Sequence, residues 1–173
     1  MARGEVKEFE PMKDGCLLGS TMLMRTDALR SIGGFRQEYY PADDWDLELR
    51  LAQMGTVLIM REPMIAYRFH TGANTYRLFA DMCEKRRWAE DSYWRRHESA
   101  PELTLEQFNR LQPRDTWTRL RRYRKDSSKL HMRIAGQRYL DGNYIAGASH
   151  LAVSAVLHPA EIVRRMKRYI FRS

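Results

Sequence analysis

The spacing of apolar residues predicts strands alternating with helices in the first part of the chain. Residues 16–25 (CLLGSTMLMR) form a short apolar run between turn-forming residues, a pattern typical of a strand covered on both faces. Apolar residues then recur every three or four positions over 43–54, which predicts an amphipathic helix. The apolar runs 56–61 and 64–69 predict two more strands. Residues 1–14 specify no element.

The rest of the chain has helical periodicity. The predicted helices cover residues 75–97, 105–111, 116–123, 126–140, 144–157 and 160–171. Breaks at 141–142 and 158–159 separate the last three of them, because glycine and proline interrupt helices. The polar linker 98–104 divides the chain into a predicted α/β domain, 1–97, and a predicted helical domain, 98–173.

Positive charge is concentrated in the helical part of the chain. Of the formal net charge of +8, residues 111–173 contribute +10, from 14 Lys or Arg against 4 Asp or Glu, and residues 1–110 contribute −2. No uncharged apolar run reaches the ~20 residues of a membrane-spanning helix, and no signal peptide is recognisable. Cys16 and Cys83 lie in apolar patterns and predict reduced core thiols, from which we expect a cytoplasmic protein.

Three aspartates crowd the first turn of the predicted helix 43–54. Asp43, Asp44 and Asp46 lie where the positive end of the helix dipole stabilises acids by ~0.3–1 kcal/mol each. Asp46 and Arg50 are four residues apart in the favourable order, which predicts a structural ion pair. The helix is therefore expected to present a cluster of carboxylates at its start.

Four motifs follow one another between residues 15 and 75: GCLLGSTMLMR, DALRSIGGF, ADDWDLELRLAQMG and REPMIAYRFHTGANT. Together they resemble the C-terminal, acceptor-side half of the catalytic domain of family 2 glycosyltransferases, which have the GT-A fold. The resemblance implies an α/β fold, with a partial GT-A-like mixed sheet and flanking helices, followed by an all-α helical tail. It also implies that the predicted strands share one sheet beside the acid cluster.

The resemblance implies a glycosyltransferase that moves a sugar, with inversion, from a nucleotide-sugar to an acceptor hydroxyl in carbohydrate biosynthesis. Such a transfer needs a carboxylate that removes the hydroxyl proton as the oxygen attacks. Asp44 matches the family's catalytic base, and Asp43 beside it would contact the acceptor. The alternative is that Asp44 is only a helix-terminal acid.

Aromatic side chains surround these acids. Tyr39, Tyr40 and Trp45 are candidate acceptor contacts, because sugars stack their C–H faces on aromatic rings. Aromatic residues beside a glycine turn serve equally often to fill a core. Both interpretations stay open from the sequence.

The Tyr-Arg-x-His turn suggests contacts to the departing diphosphate. By the resemblance, Arg68 and His70 would bind phosphate oxygens, and His70 would approach a divalent metal. Mn²⁺ or Mg²⁺ is implied by the family and not by this sequence. The triplet Asp44-Trp45-Asp46 is not assigned to metal, because residues two apart in a helix point about 200° apart. A surface ion pair for Arg68 and a backbone hydrogen bond for His70 are the alternatives.

The nucleotide-binding half of the family has no counterpart in the sequence, and no glycine-rich phosphate loop replaces it. We therefore expect nucleotide-sugar binding only when that N-terminal half is supplied, whether the chain is a fragment, one part of a split enzyme or an inactive relic. The predicted strand at 16–25 would have an open sheet edge, which a second copy could cover in a homo-oligomer.

The basic helical tail suggests a second, non-catalytic function as a binding or scaffold protein. Residues 119–129 and 164–173 combine arginine and lysine with apolar side chains, as in segments that lie on anionic membranes. The inner face of a membrane is therefore an expected partner, whereas nucleic acid is disfavoured because no base-reading motif is present. A solvated charged face is the third interpretation.

Overall fold

The computed structural model describes residues 6–17, 19–60, 62, 65–66, 70, 73–160 and 162–163. The chain divides into two compact units. The first contains Met1–Arg68 and Ala80–Arg110, and the second contains Phe69–Phe79 and Leu111–Ser173. The linker predicted at 98–104 therefore lies inside the first unit.

The described residues form seven α-helices and two short strands. In chain order the elements are β1 (Val6–Glu8), α1 (Thr26–Ser31), α2 (Asp43–Met54), β2 (Leu58–Met60), α3 (Asn74–Arg77), α4 (Phe79–His97), α5 (Leu105–Leu111), α6 (Thr116–Leu140) and α7 (Tyr144–Leu157). Short 3₁₀ turns at Gly19–Thr21 and Gln37–Tyr39 complete the first unit. The fold of the described residues is predominantly helical.

The prediction of a GT-A-like mixed sheet is wrong. Among the described residues the sheet has two strands, β1 and β2, which pair antiparallel with Val6 opposite Met60. The described residues of 16–25 form a 3₁₀ turn and irregular backbone where a strand was expected, and Leu23 is fully exposed. A short apolar run becomes a strand only when a neighbour supplies its hydrogen bonds, and β2 pairs instead with a segment to which the sequence assigned no element.

The other predicted elements differ in detail from the structure. The strand expected at 64–69 falls mostly on residues outside the described ranges, as does the helix expected at 160–171. The helices expected at 116–123 and 126–140 are one continuous helix, α6. The periodicity of apolar residues predicted both halves of α6, but it could not show that the polar residues between the halves are also helical.

Local capping explains several of the observed helix ends. Thr104 and Gln107 exchange hydrogen bonds at the start of α5, with the Gln107 amide N–H donating to Thr104 Oγ1 at 3.2 Å. The side chain of Asp115 caps α6 by accepting from the Thr118 N–H at 2.7 Å. Asn143 does the same for α7 through the Ala146 N–H. These signals lie within four residues of the helix they begin, so the sequence carries them.

The core of the first unit is aromatic. Its central buried residues are Phe9, Tyr39, Trp45, Leu49, Trp88, Ala89 and Phe108. The rings of Tyr39 and Trp88 stack with centroids 3.9 Å apart, so the 3₁₀ turn before α2 is packed directly against α4. Cys83 is buried as expected, but Cys16 is exposed, and neither cysteine forms a disulfide.

A buried carboxylate holds α2 to the segment that precedes it. Asp46 is fully buried and accepts hydrogen bonds from the guanidinium groups of Arg36 and Arg50. Arg50 also donates to the carbonyl oxygens of Ile32 and Gly34, each at 2.7 Å. We call Asp46, Arg36 and Arg50 the Asp46 clamp. The predicted Asp46–Arg50 pair is present, at 2.8 Å, as part of this larger group.

The second unit contains a helical hairpin. Helices α6 and α7 pack against each other, and Gly142, with φ +77°, makes the turn between them. Buried serines lie at the contact, where Ser128 Oγ and Ser154 Oγ are 2.9 Å apart. No helix within the described part of the chain is both long enough and apolar enough to cross a membrane.

Replacing Asp46 by alanine should strongly destabilise the first unit. The change leaves two arginines near a buried site without their shared carboxylate, a loss of about 3–5 kcal/mol in the free energy of unfolding. Asp91→Ala is the matched control, because Asp91 and Arg95 are also four residues apart in a helix but are partly exposed. That variant should lose less than about 1 kcal/mol. Urea unfolding measures both, and equal losses would show that the clamp is no more important than a surface pair.

Candidate functional site

The candidate site is the first turn of α2. Asp44 is partly buried, and its Oδ1 accepts the N–H of Trp45 at 2.8 Å, which fixes the carboxyl group against the helix start. Gly19 lies beside it, and a Cβ placed on this glycine would be 3.4 Å from the Asp44 Cβ. Gly19 therefore allows its backbone to lie close to Asp44, within the same unit.

A second acid lies one turn further along the same face of α2. Glu48 is 1% exposed, and its Oε2 accepts the N–H of Leu17 at 3.0 Å. The thiol of Cys16 donates to its Oε1 at 3.8 Å. Burial, reinforced by the negative charge of Asp44, raises the pKa of Glu48 to about 8. This carboxyl group therefore tends to hold its proton near neutral pH.

The environment of Asp44 also favours its protonated form. Burial raises the pKa of Asp44 above its ordinary value, and the neighbouring charge of Asp43 adds to the effect. The hydrogen bond from Trp45 and the positive charge of Arg86 act in the opposite direction. A carboxylate with a raised pKa is a stronger base, so Asp44 is suited to accept a proton.

Arg86 belongs to the same cluster. It projects from α4, and its guanidinium carbon lies 4.7 Å from the centre of the Trp45 ring. Its charge acts on Asp44, Glu48 and Cys16 alike. We refer to Asp44, Glu48, Cys16 and Arg86 as the Asp44 cluster.

The aromatic residues that were predicted to contact the acceptor differ in burial. Tyr39 and Trp45 are each 1% exposed, and the Tyr39 hydroxyl lies 2.9 Å from Ser92 Oγ. We assign both rings to packing in the core. Tyr40 is 45% exposed and Asp43 is partly exposed, so contact of these two residues with an acceptor stays a prediction.

The predicted diphosphate and metal ligands are not gathered in the first unit. Arg68 lies outside the described residues. His70 is exposed and belongs to the second unit, and its carbonyl oxygen accepts the Ala73 N–H at 3.0 Å. The carboxylate of Asp46 is bonded to two arginines, so Asp44 and Asp46 do not form a metal site together. Within the described ranges no group of three or more His, Cys, Asp or Glu side chains could hold an ion, and the metal that the resemblance implies stays a prediction.

The sequence interpretation missed three members of the Asp44 cluster. Glu48 had a usable signal, because positions four apart lie on one face of a helix and Asp44 and Glu48 therefore face the same way. Cys16 and Arg86 gave no such signal in the sequence. They are 32 and 38 positions from Glu48, and only the tertiary fold brings them near it.

Replacing Glu48 by glutamine should change how stability depends on pH. The folded pKa of about 8 lies above the ordinary value of 4.5, so the folded state binds more protons than the unfolded state between these values. The wild type should therefore lose stability as pH rises from 5 to 8, by roughly 2–4 kcal/mol attributable to Glu48 at ~1.4 kcal/mol per pH unit. Glu48→Gln should remove this part of the slope.

Chemical denaturation at several pH values measures the effect of Glu48→Gln. Glu106→Gln is the matched control, because Glu106 is an exposed helical glutamate that pairs with Arg110 four residues away. This variant should keep the slope of the wild type. If Glu48→Gln also kept that slope, the raised pKa would be ruled out.

Comparison with known proteins leaves the family open. No family model matches the sequence, and no curated protein or solved structure is similar enough to count as a match. The resemblance to glycosyltransferases is therefore carried by the four motifs alone. What the chain does must be argued from the geometry of the Asp44 cluster and of the α6–α7 hairpin.

Proposed function

We propose that this chain supplies the acceptor-activating carboxylate of a glycosyltransferase, with Asp44 as the general base. The observation that carries the proposal is the state of Asp44: partly buried, held by the Trp45 N–H and raised in pKa. These are the properties of a carboxylate prepared to take a proton. The GT-A-like sheet forms no part of the proposal.

The reaction step is the inverting transfer that the resemblance implies. An acceptor hydroxyl placed against Asp44 gives its proton to the carboxylate while its oxygen attacks the anomeric carbon of the donor sugar. The bond from that carbon to the nucleotide diphosphate breaks on the opposite face, and the electron pair leaves with the diphosphate. The configuration at the carbon is inverted, and Asp44 is left protonated until solvent removes the proton.

Neighbouring residues adjust the basicity of Asp44. Glu48, when protonated, places no second negative charge beside Asp44, so Asp44 can remain a carboxylate before the step. Arg86 offsets part of the charge of Asp44 in the ground state. Binding of the sugar nucleotide belongs to a donor-binding half, because residues 1–173 contain no glycine-rich phosphate loop.

Replacing Asp44 by asparagine tests the proposed base. The chain is mixed with the nucleotide-binding half of a family 2 glycosyltransferase, a panel of nucleotide-sugars and a panel of saccharide acceptors, and nucleotide release is measured. Asp44→Asn should lower turnover by at least ~100-fold, since general base catalysis contributes about 10²–10⁴.

Asp27→Asn is the control for Asp44→Asn. Asp27 also lies in a first helical turn and accepts the N–H of the next residue, at 2.9 Å, but it is exposed and lies outside the cluster. It should keep wild-type turnover. Equal turnover by both variants would reject Asp44 as the base, and no nucleotide release by the wild type with any donor would reject the enzymatic function.

A second candidate function is supported by the outer face of the α6–α7 hairpin. We propose that this face lies on an anionic membrane surface. Ile145 is 87% exposed and Val156 is 77% exposed, although both belong to a helix that contains no charged residue. They lie on the side of α7 opposite the buried Gly147 and Ser154, so they form an outward apolar stripe.

The positive charge of the neighbouring helix, α6, favours a membrane surface that is anionic. Between residues 116 and 140, α6 carries eight Arg or Lys against one Asp, a net charge of +7. Apolar residues flanked by cationic side chains match the interface of a bilayer that contains anionic lipid. The basic terminus 164–173, which the sequence also assigns to this function, lies outside the described residues.

Replacing Ile145 by glutamate tests membrane contact. Sedimentation with vesicles of phosphatidylcholine, with and without phosphatidylserine, should show binding of the wild type that requires the anionic lipid and weakens with salt. Ile145→Glu should lower the affinity at least ~10-fold, because it removes an aliphatic side chain that would enter the bilayer interface and adds a negative charge. Leu23→Glu, at a fully exposed leucine of the first unit, should bind as wild type. Equal loss in both variants, or no binding by the wild type, would reject the proposal.

A further inference from the structure

Two histidines face each other across the α6–α7 hairpin. His131 of α6 and His150 of α7 are partly buried, and their Nδ1 atoms are 2.8 Å apart. The ring centroids are 5.0 Å apart and the ring planes are inclined by 34°. Neither the glycosyltransferase proposal nor the membrane proposal uses this pair.

The helices on either side hold the pair in place. Ser128 and Ser154 are fully buried beside it and bond to each other across the contact, where the Ser154 hydroxyl also donates to the Ser128 carbonyl oxygen at 2.8 Å. At the turn end of the hairpin, Gly147 lies against Tyr139, and a Cβ added to this glycine would be 3.0 Å from the ring. Small residues therefore let the two helices approach closely and fix the two imidazoles.

The distance between the two nitrogens has a chemical meaning. Histidine nitrogens bind transition metals at ~2.0–2.1 Å. Two nitrogens at neighbouring, right-angled positions of one ion are then about 2.8–3.0 Å apart, compared with about 3.3 Å for tetrahedral positions. The observed 2.8 Å corresponds to the right-angled arrangement. Copper(II) and nickel(II) favour such tetragonal geometry with nitrogen and oxygen ligands.

We propose that His131 and His150 form a two-histidine site for a divalent transition metal ion of the copper or nickel type, which bridges α6 and α7. Both rings bind through Nδ1. The ring that carried the shared Nδ1 proton moves it to Nε2 through solvent, so a neutral pair binds the ion without net proton release. Water completes the coordination, because both side chains are partly exposed.

The affinity expected of this site is modest. With two protein ligands and no third one among the described residues, the site would be open and would bind more weakly than a structural zinc site.

Titration of the full, tag-free chain with Cu²⁺ in the presence of glycine as a competitor tests the site. Electron paramagnetic resonance should show one bound ion with two imidazole nitrogens, and the same ion should raise the melting temperature. His131→Asn and His150→Asn should each weaken binding at least tenfold and remove the second nitrogen from the spectrum. Asparagine places a hydrogen-bonding group near the position of Nδ1, so these variants should remain folded, which circular dichroism checks.

His97→Asn is the matched control, because His97 is an exposed histidine of α4 in the first unit. It should bind Cu²⁺ as wild type does. If the asparagine variants of the pair bind Cu²⁺ as tightly as His97→Asn does, or if the wild-type spectrum shows fewer than two imidazole nitrogens, the two histidines are a hydrogen-bonded pair only and the proposal is overturned. The spectrum of the wild type decides this even if a variant fails to fold.

Discussion

The candidate site depends on the hydrogen-bonded ion pairs that the buried carboxylate of Asp46 forms. A charge removed from water destabilises a fold unless hydrogen bonds and opposite charges replace its hydration, and two guanidinium groups do so here. Arg50 extends the connection to the carbonyl oxygens of Ile32 and Gly34, in the glycine turn that follows α1. The start of α2 and the chain before it are therefore held together, and Asp44 is placed two residues from the held group.

Three of the four acids of α2 have different roles because they point in different directions. Asp44 and Asp46 are about 200° apart around the helix, whereas Asp44 and Glu48 are about 40° apart. Asp46 therefore meets the arginines, whereas Glu48 accepts the N–H of Leu17 and Asp44 lies beside Gly19. Burial without a directly bonded cation raises the pKa of both Asp44 and Glu48. The environment of Asp44 and Glu48 thus favours their protonated forms, while Asp46 between them holds the structure.

The hairpin of the second unit has the opposite arrangement of polarity from a typical pair of amphipathic helices. Its inner contact includes paired serines and paired histidines, while Ile145 and Val156 face outward. Small side chains make the close inner contact possible, and hydrogen bonds satisfy the polar groups buried there. The proposed membrane contact uses the outward apolar side chains of α7 and the basic helix α6. The proposed metal site uses the histidines at the inner contact, so neither proposal depends on the other.

Part of this structure was predictable from the sequence. The limits of α2, α5 and α7, and the ion pair of Asp46 with Arg50, were expected because they depend on apolar spacing, caps and neighbours within a few residues. The first-turn position of Asp44 follows from the same local rules. A position on a helix does not specify what the side chain meets there. Arg86 and Cys16 could therefore not be foreseen in the Asp44 cluster.

The sequence by itself determined where most helices begin and end and which residues share a helical face, because these properties arise from contacts between near neighbours. Only the tertiary structure decided that β2 pairs with β1, that the described residues of 16–25 form no strand, that Trp45 is enclosed and that His131 meets His150. Each of these contacts joins segments that are distant in the chain. Which segments come together depends on the hydrogen bonds and the buried surface available in the whole fold. The apolar pattern of one segment does not show which distant segment it will contact.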